Sequence, residues 1–388
     1  MDSVNENSVL TVYLEGRITA DNSADVGKEI EEILEKEPHN ELVFNCGKLE
    51  YIASAGLRVV LRTKKKEPAL KMVDVKSEVY DIFEMTGFTE MMDIEKAYRE
   101  ISVDGCEVIG QGSNGKVYRI DPDTIVKVFF NSDALADIHR ERELARTAFV
   151  LGIPTAISYD VVKVGDTYGS VFELLNANSY IKEIIKDPSS IDKYIKLSVD
   201  LLKKIHATKV KPGELPDIKL TVLGWVDYLK DYLPEDKYNK LKKMVEDVPD
   251  TNTMIHGDYH MKNLMIQDGE TLLIDMDTLA QGHPIFELGS VFNAYVGFSE
   301  LDHNNCLGFL GIPYEQCEYI WNKTLPLYLD TTDDKRIKEV ENKARIVGYT
   351  RLMRRTIKRL GFEKAGDSIE FYKENLMKLI DEVDTLVF

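Results

Sequence analysis

Residues 254–264 read MIHGDYHMKNL and residues 272–277 read LLIDMD, and the rest of the chain is interpreted from these two segments. In the first segment a short apolar run precedes a polar loop. The second segment reads as a buried strand that ends in a carboxylate. Phosphoryl transfer needs a carboxylate beside the attacking hydroxyl and oxygen ligands for Mg²⁺. The pattern therefore indicates a phosphoryl-transfer site, with Asp258 as the base and with Asn263 and Asp275 as metal ligands.

The motif H-G-D-x-H-x-x-N followed by I-D-x-D resembles the aminoglycoside phosphotransferase and choline kinase branch of the protein-kinase-like superfamily. Protein kinases carry H-R-D-x-x-x-x-N with the same Asp-to-Asn spacing. The resemblance implies an α+β bilobal protein-kinase-like domain at 104–388, with a small lobe at 104–175 and a large lobe at 176–388. It also implies Mg²⁺ and ATP or GTP as co-substrate. A solvated, Asx-rich turn is the alternative, which the motifs upstream disfavour.

A glycine-rich pattern, G-x-G-x-x-G-x-V, occupies residues 110–117 between apolar segments. By itself this signal is weak, since a Rossmann turn carries a similar one. Here a strand follows instead of a helix, and Lys127 lies on the next strand. The kinase interpretation is therefore favoured, with Lys127 holding the α- and β-phosphates. The predicted nucleotide-binding residues of this segment are Gly110, Gly112, Ser113, Gly115 and Val117.

A helix is predicted at about 134–150, and it carries Arg140-Glu141 ahead of Gly152-x-Pro154. This order resembles the family's motif, so Glu141 is the candidate ion-pair partner of Lys127 and a member of the catalytic set. A pair of solvated helix glutamates is the alternative for Glu141 and Glu143, and Glu143 is expected on a different face.

The strand predicted at 169–175 would bring the backbone of Glu173 to Leu175 to the adenine edge, by the same resemblance. Four apolar side chains are expected above and below the ring, although each could equally be plain core: Ile109, Val117, Ile125 and Ile274.

The large lobe is predicted to be helical at 190–208, 225–233 and 236–245. By resemblance, Glu287 braces the catalytic loop, while His206 and His283 are structural. A further helix at 335–359 carries one basic face, made of Arg351, Arg354, Arg355 and Lys358. That face is either solvated, or meets an anionic acceptor, or docks on an acidic surface. The spacing of His256 and His260 argues against zinc.

Composition narrows the functional classes. The chain has 388 residues, which is enough for two or three domains, and a formal net charge of -18, which argues against a nucleic-acid partner. The charge is compatible with cationic substrates but says little about a site. We expect no membrane association, because no apolar run approaches the roughly 20 residues that a bilayer requires. The polar start and four scattered cysteines favour a cytoplasmic location without disulfides or zinc.

The first hundred residues alternate strands with helices, which predicts an α/β layer of mixed sheet and helices. Strands are expected at 9–16, 41–45 and 70–74, with helices between about 22 and 34, at 58–66 and at 77–86. The order resembles the STAS domain of anti-sigma-factor antagonists, and I-x-S-x-G-L-R at 52–58 is its most specific part. We place this domain at 1–103.

Ser54 matches the serine that this family phosphorylates, at a strand-to-helix turn where a helix dipole favours a phosphate. Two carboxylates of the family are replaced by Ala53 and Asn45. The alternative is that Ser54 only caps the helix.

The sequence therefore predicts an ATP-dependent phosphotransferase acting on a hydroxyl of a small molecule. A STAS module would dock a protein partner or regulate the enzyme. Two alternatives remain open: a nucleotide-binding signalling protein, and a kinase that acts on its own Ser54.

Overall fold

A computed structural model describes residues 1–112, 114–175, 177–267 and 269–388. The chain forms two compact units: residues 1–105 with 161–169, and residues 106–160 with 170–388. The domain boundary between 103 and 104 stays a prediction. Among the described residues, no helix combines the length and the apolar character that crossing a bilayer requires.

The first unit is built on a five-stranded sheet in the order β1-β2-β3-β4-β5. The strand β1 is antiparallel to β2, and the other neighbours are parallel. The mixed sheet with helices confirms the predicted α/β class. The strands are β1 (Ser3–Glu6), β2 (Val9–Ile18), β3 (Glu41–Ile52), β4 (Lys71–Val75) and β5 (Asp93–Lys96), and the helices are α1 (Ser23–Lys36), α2 (Ser54–Lys66), α3 (Ser77–Met85) and α4 (Phe88–Met91).

Several boundaries in this unit differ from the sequence-based ones. Strand β3 continues past Asn45 to Ile52, because residues 48–52 go on pairing in parallel with β2 after a shift in register. Leu49 and Ile52 are buried in this extension. Strands β1 and β5 were not predicted, since short edge strands depend on hydrogen bonds to a neighbour more than on an apolar pattern. This unit also contains β6 (Arg99–Glu100), which pairs in parallel with β10 (Asp160–Val164).

The second unit begins with a sheet in the order β11-β9-β8-β7, followed by the helix α5. Between the end of β7 and the start of β8, the amide of Gly112 donates to the carbonyl of Gly115 over 3.0 Å. The elements are β7 (Glu107–Gln111), β8 (Gly115–Asp121), β9 (Thr124–Phe129), α5 (Leu135–Val150) and β11 (Thr167–Glu173), of which residues 170–173 belong to this unit.

The rest of this unit is mostly helical and surrounds one large apolar core. Short antiparallel strand pairs, β13 with β16 and β14 with β15, frame the polar loop. The strands are β12 (Asn178–Ser179), β13 (Met254–Ile255), β14 (Leu264–Gln267), β15 (Glu270–Leu273) and β16 (Ala280–Gln281), and the helices are α6 (Tyr180–Lys186), α7 (Ile191–Ala207), α8 (Ile218–Tyr228), α9 (Glu235–Glu246), α10 (Ile285–Phe292), α11 (Asn304–Phe309), α12 (Tyr314–Leu329) and α13 (Asp334–Glu382).

Two helices differ from their predicted bounds. Helix α8 begins at Ile218, well before the predicted residue 225, because Asp217 caps it by accepting from the amide of Lys219. Helix α13 continues past residue 359 but is interrupted by non-helical backbone at Gly361 and Ala365. The combination of sheet and helices confirms the predicted α+β class of the second domain.

Gly115 offers a direct test of the β8–β9 packing. A Cβ atom at this position would lie 2.3 Å from the carbonyl oxygen of Val128, whereas one at Gly112 would meet no atom within 4 Å. We expect Gly115→Ala to lower the free energy of unfolding by about 1–3 kcal/mol, the usual cost of overpacking. Gly112→Ala is the matched control in the same turn and should cost much less. Equal urea midpoints for the two variants would contradict this packing.

Candidate active site

The polar loop 256–263 is held between two strand pairs. Strand β13 leads into the loop and β14 leads out of it, and Leu264 on β14 pairs with Leu273 on β15. The amide of Ile274 then donates to the carbonyl of Asn263 over 3.0 Å. These contacts place the loop directly against the segment that carries Asp275.

A buried carboxylate fixes the start of the loop. Glu287 on α10 is completely buried, and it accepts from the amide of His256 at 2.5 Å and from the amide of Gly257 at 3.0 Å. Burial raises the pKa of this carboxyl, but His206, His256 and the Gly257 amide outweigh it and leave the pKa lowered. Glu287 therefore acts as the predicted brace.

The two histidines that were expected to be structural do make structural contacts. The Nδ1 atom of His206 lies 2.7 Å from the hydroxyl of Tyr328. The Nδ1 atom of His283 accepts from the amide of Ile285, and burial lowers its pKa to about 4.

Gly257 permits the tight course of the loop. Its φ is +84°, and a Cβ atom there would lie 2.5 Å from the carbonyl oxygen of Thr278. Its own carbonyl accepts from the Ser290 hydroxyl at 2.7 Å and from the Arg351 guanidinium at 2.8 Å. A side chain other than hydrogen would push the loop away from these partners.

Asp258 stands next to Gly257 with its carboxylate about two-fifths exposed. The Nε2 atom of His260 lies 3.6 Å from one oxygen, and the guanidinium of Arg351 lies 3.5 Å from the other. Burial alone would raise the pKa of Asp258, but His260 and Arg351 outweigh it and hold the pKa well below its usual range. The group therefore stays ionised, and it is better suited to orient a hydroxyl than to take a proton early.

Arg351 is the contact that sequence reasoning missed. The sequence places Arg351 on a basic helix face, and no local motif links it to a loop that lies more than ninety residues earlier in the chain. Its guanidinium also contacts the hydroxyl of Ser290. The only available signal was the i, i+3, i+4 spacing of arginines on one helix.

Lys127 forms the predicted ion pair. Its ammonium nitrogen lies 3.0 Å from both carboxylate oxygens of Glu141 and 3.4 Å from Asp275. Burial lowers the pKa of Lys127, but Glu141 and Asp275 outweigh it, so the pKa is raised and the lysine stays charged. Burial raises the pKa of Glu141 in spite of the opposing lysine. The alternative of a solvated Glu141 is therefore wrong.

Carboxylates crowd the end of strand β15. Asp275 has a left-handed backbone, with φ of 65°, which is uncommon for a residue other than glycine and often marks a functional site. Burial, Asp275 and Glu141 together raise the pKa of Asp277 to about 7. This repulsion fits the addition of a divalent cation.

The side-chain oxygen of Asn263 is available to act as a metal ligand. Its amide nitrogen donates to the carbonyl of Asp258 over 3.1 Å, which leaves the amide oxygen available as a ligand. Within the described ranges, no three His, Cys, Asp or Glu side chains form a preformed metal cluster. Asn263 and Asp275 would therefore share the ion with phosphate oxygens and water, as Mg²⁺ prefers.

Of the predicted nucleotide-binding residues that the structure describes, all but Gly110 line a cleft of about 560 Å³. Its lining includes Gly112, Gly115, Val117, Lys127, Glu141, Glu173, Leu175, Asn263, Ile274 and Asp275, and also Ile109 and Ile125. Gly110 lies on β7, where its Cβ position would be 3.7 Å from Val117. Ser113 lies outside the described residues.

Ser54 belongs to the first unit and is the exposed first residue of α2. The N-cap position is Ala53, so the alternative that Ser54 caps the helix is wrong. Asn45, which replaces a family carboxylate, donates to the carboxylate of Asp74 over 2.6 Å.

Two family matches divide the chain. The Phosphotransferase enzyme family matches residues 105–305, and the STAS domain matches residues 1–101. A protein from Bordetella bronchiseptica described as an anti-sigma factor antagonist, BtrV, is 30% identical over 98 residues, which cover 24% of this chain and 82% of that protein.

Two solved structures are similar to the chain at low identity. The apo form of a thermostable mutant of the aminoglycoside phosphotransferase APH(4)-Ia is 12% identical, with a TM-score of 0.48, over 78% of this chain and 97% of that one. The ADP-bound aminoglycoside phosphotransferase APH(2'')-Ib is 15% identical, with a TM-score of 0.48, over 79% and 99% of the two chains. On the family matches, the chain belongs to the phosphotransferase enzyme family and carries a STAS domain at its N-terminal end.

Proposed function

We propose that the second unit transfers the γ-phosphoryl group of ATP or GTP to a hydroxyl of a small molecule. The observation that carries this proposal is the convergence of the Lys127–Glu141 ion pair with Asn263 and Asp275 in one cleft. Asp258 adjoins that cleft, since its carbonyl accepts from the Asn263 side chain. A charged lysine, two oxygen ligands and an ionised carboxylate are the parts that phosphoryl transfer requires.

The nucleotide would lie in the cleft with its adenine or guanine edge at the backbone of Glu173 to Leu175. Glu141 holds Lys127 over the phosphates, and the β7–β8 turn covers them. Asn263 and Asp275 would hold Mg²⁺, which supplies charge neutralisation on the phosphate oxygens.

Asp258 orients the acceptor. As the hydroxyl oxygen bonds to the γ-phosphorus, the bond to the β–γ bridging oxygen breaks, and the nucleoside diphosphate leaves with that electron pair. The hydroxyl proton passes by way of Asp258 to solvent. Because the pKa of Asp258 is depressed, this transfer occurs late, and positioning contributes most of the rate.

The STAS unit is assigned a docking or regulatory role toward a protein partner. The exposed hydroxyl of Ser54 at the first residue of α2 favours a second candidate function, phosphorylation of Ser54 by the kinase unit itself. A helix N-terminus stabilises the phosphate that such a reaction would leave there.

Nucleotide binding is the first test. ATP or GTP with Mg²⁺ at roughly 100 times its Kd should raise the melting temperature by about 3–5 °C, by mass action. Asp275→Asn should reduce the shift, because it removes a charged ligand while tolerating the left-handed backbone. Asp330→Asn is the matched control, since Asp330 is also left-handed, with φ of 51°. No shift with either nucleotide would exclude the kinase assignment.

Replacement of Asp258 is the second test. Asp258→Asn should lower kcat by roughly 10²–10⁴-fold, the range for a positioned acid–base group, with the nucleotide Kd nearly unchanged. Asp236→Asn, in the exposed first turn of α9, controls for the loss of one charge. Asp258 is protonated only at a pH below its lowered pKa. In the wild type, the pH–rate profile should therefore show no loss of activity caused by Asp258 above about pH 4. Full activity of Asp258→Asn would remove the residue from the mechanism.

Intact mass spectrometry tests Ser54. Incubation with Mg-ATP should add one phosphate to the wild type and none to Ser54→Ala or Asp258→Asn. Ser77→Ala is the matched control, because Ser77 is the exposed first residue of α3 and likewise follows the N-cap. An unchanged mass while nucleotide binds would leave Ser54 without this role.

A further inference from the structure

A group of arginines begins at the catalytic loop and continues along α13. Arg351 is a quarter exposed and is fixed by the Gly257 carbonyl at 2.8 Å and the Asp258 carboxylate at 3.5 Å. Arg354 and Arg355 follow at i+3 and i+4, so they extend the same face by about one helical turn. The positive charge therefore starts at the carboxylate that would hold the acceptor hydroxyl.

The fold leaves most of this charge unpaired. Among the residues that the structure describes, no carboxylate lies within 4.0 Å of the guanidinium of Arg354, Arg355 or Arg359. Burial and the repulsion of Arg359 and Arg351 lower the pKa of Arg355, and Asp258 opposes them only in part. The buried Nε atom of Arg354 has no hydrogen-bond partner. The guanidinium groups of these arginines repel one another, and this repulsion favours a bound anion.

The one carboxylate on α8, that of Asp227, is engaged elsewhere. Asp227 accepts from the ammonium of Lys242 at 2.8 Å and from the hydroxyl of Tyr238 at 2.8 Å. These bonds lower the pKa of Asp227, so it is charged but already paired. It therefore does not supply the counter-charge for the arginines.

Aromatic side chains of α8 hold the guanidinium groups in place. Arg351 lies 5.6 Å from the ring centre of Trp225, and Arg354 lies 5.8 Å from that of Tyr228. Tyr228 stacks on Tyr232, with ring centres 5.9 Å apart. These cation–π contacts restrict the guanidinium groups of Arg351 and Arg354, so these two side chains lose less conformational freedom when an anion binds.

We propose that the acceptor of this phosphotransferase is an alcohol that carries an anionic group, a phosphate or a carboxylate. Its hydroxyl lies at Asp258, and its anion is bound by Arg354 and Arg355. Arg355 follows Arg351 by four positions, a rise of about 6 Å along α13, so the anion and the hydroxyl are separated by about 6 Å or more. Cationic acceptors are repelled. This inference rests on the proposed phosphotransferase function and gives its substrate class.

The first experiment measures anion binding without any turnover. Trp225 is partly exposed, while the other tryptophan, Trp321, is buried, so a change in emission reports on the arginine face. With the nucleotide cleft saturated by a non-hydrolysable Mg-nucleotide, inorganic phosphate or acetate should change the fluorescence of the full-length wild-type protein in a saturable way. Their comparison distinguishes a phosphate from a carboxylate ligand.

Variants assign that signal to the arginines. Arg354→Gln with Arg355→Gln should weaken anion binding by about 10- to 100-fold, the range for losing charge-assisted hydrogen bonds. Arg336→Gln is the matched control, because it removes the same charge near the start of α13, where Arg336 pairs with Glu339 at 3.0 Å. No saturable signal, or an equal signal in the double variant, would overturn the proposal even if the enzyme proved to be a kinase.

The second experiment uses acceptors in three charge classes. Hydroxy acids and sugar phosphates, neutral polyols, and cationic amino alcohols are each incubated with Mg-ATP, and phosphorylated products are detected by mass spectrometry. We expect products from the anionic class, with KM raised by about 10- to 100-fold and kcat little changed in the double variant. Turnover of cationic or neutral acceptors that is insensitive to the double variant would overturn the charge assignment and leave the phosphotransferase function standing. Absence of any product while nucleotide binds would instead reject the proposed function.

Discussion

The site depends on one buried carboxylate. Glu287 has no solvent contact, and two backbone amides of the loop donate to its carboxylate, while the Nε2 atom of His206 lies 4.0 Å away. An isolated ion in such a position would be costly, so the loop is held where its amides satisfy the carboxylate. That position sets the direction of Gly257, and through it the exposure of Asp258. The position of the reactive loop therefore depends on Glu287, a residue that contacts no reactant.

Opposed charges keep the rest of the site in working protonation states. The lysine of β9 stays charged because two carboxylates outweigh its burial, and Asp258 stays ionised because a histidine and an arginine outweigh its own. Asp277 shows the reverse case, where like charges dominate. The local field therefore changes sign across the site, from carboxylates that suit a metal ion to guanidinium groups that suit an anion. A net charge of -18 for the whole chain gives no indication of this division.

Much of this arrangement followed from sequence because it rests on short-range spacing. The distance in sequence between Asp258 and Asn263 and the order of Lys127 and Glu141 are constrained by single loops and helices, so a motif records them. Contacts between segments that are far apart in the sequence produce no such motif. Arg351, for example, donates to the carbonyl of Gly257 across the fold. For a related reason, the sequence pattern does not predict edge strands such as β1. Their stability comes from hydrogen bonds to a neighbouring strand.

The interruption of α13 has a consequence for how this protein can diverge. Helical geometry is lost at Gly361 and again at Ala365, directly after the turn that carries the arginines. Beyond that break, Ile369, Leu376 and Ile380 anchor the remaining turns in the apolar core by their own packing. Insertions or deletions near residue 361 need not change the helical phase of 351–359, because no continuous helix transmits a rotation across the break. The segment after the break can therefore change in sequence while the arginines are retained, and the arginines can change while that segment is retained.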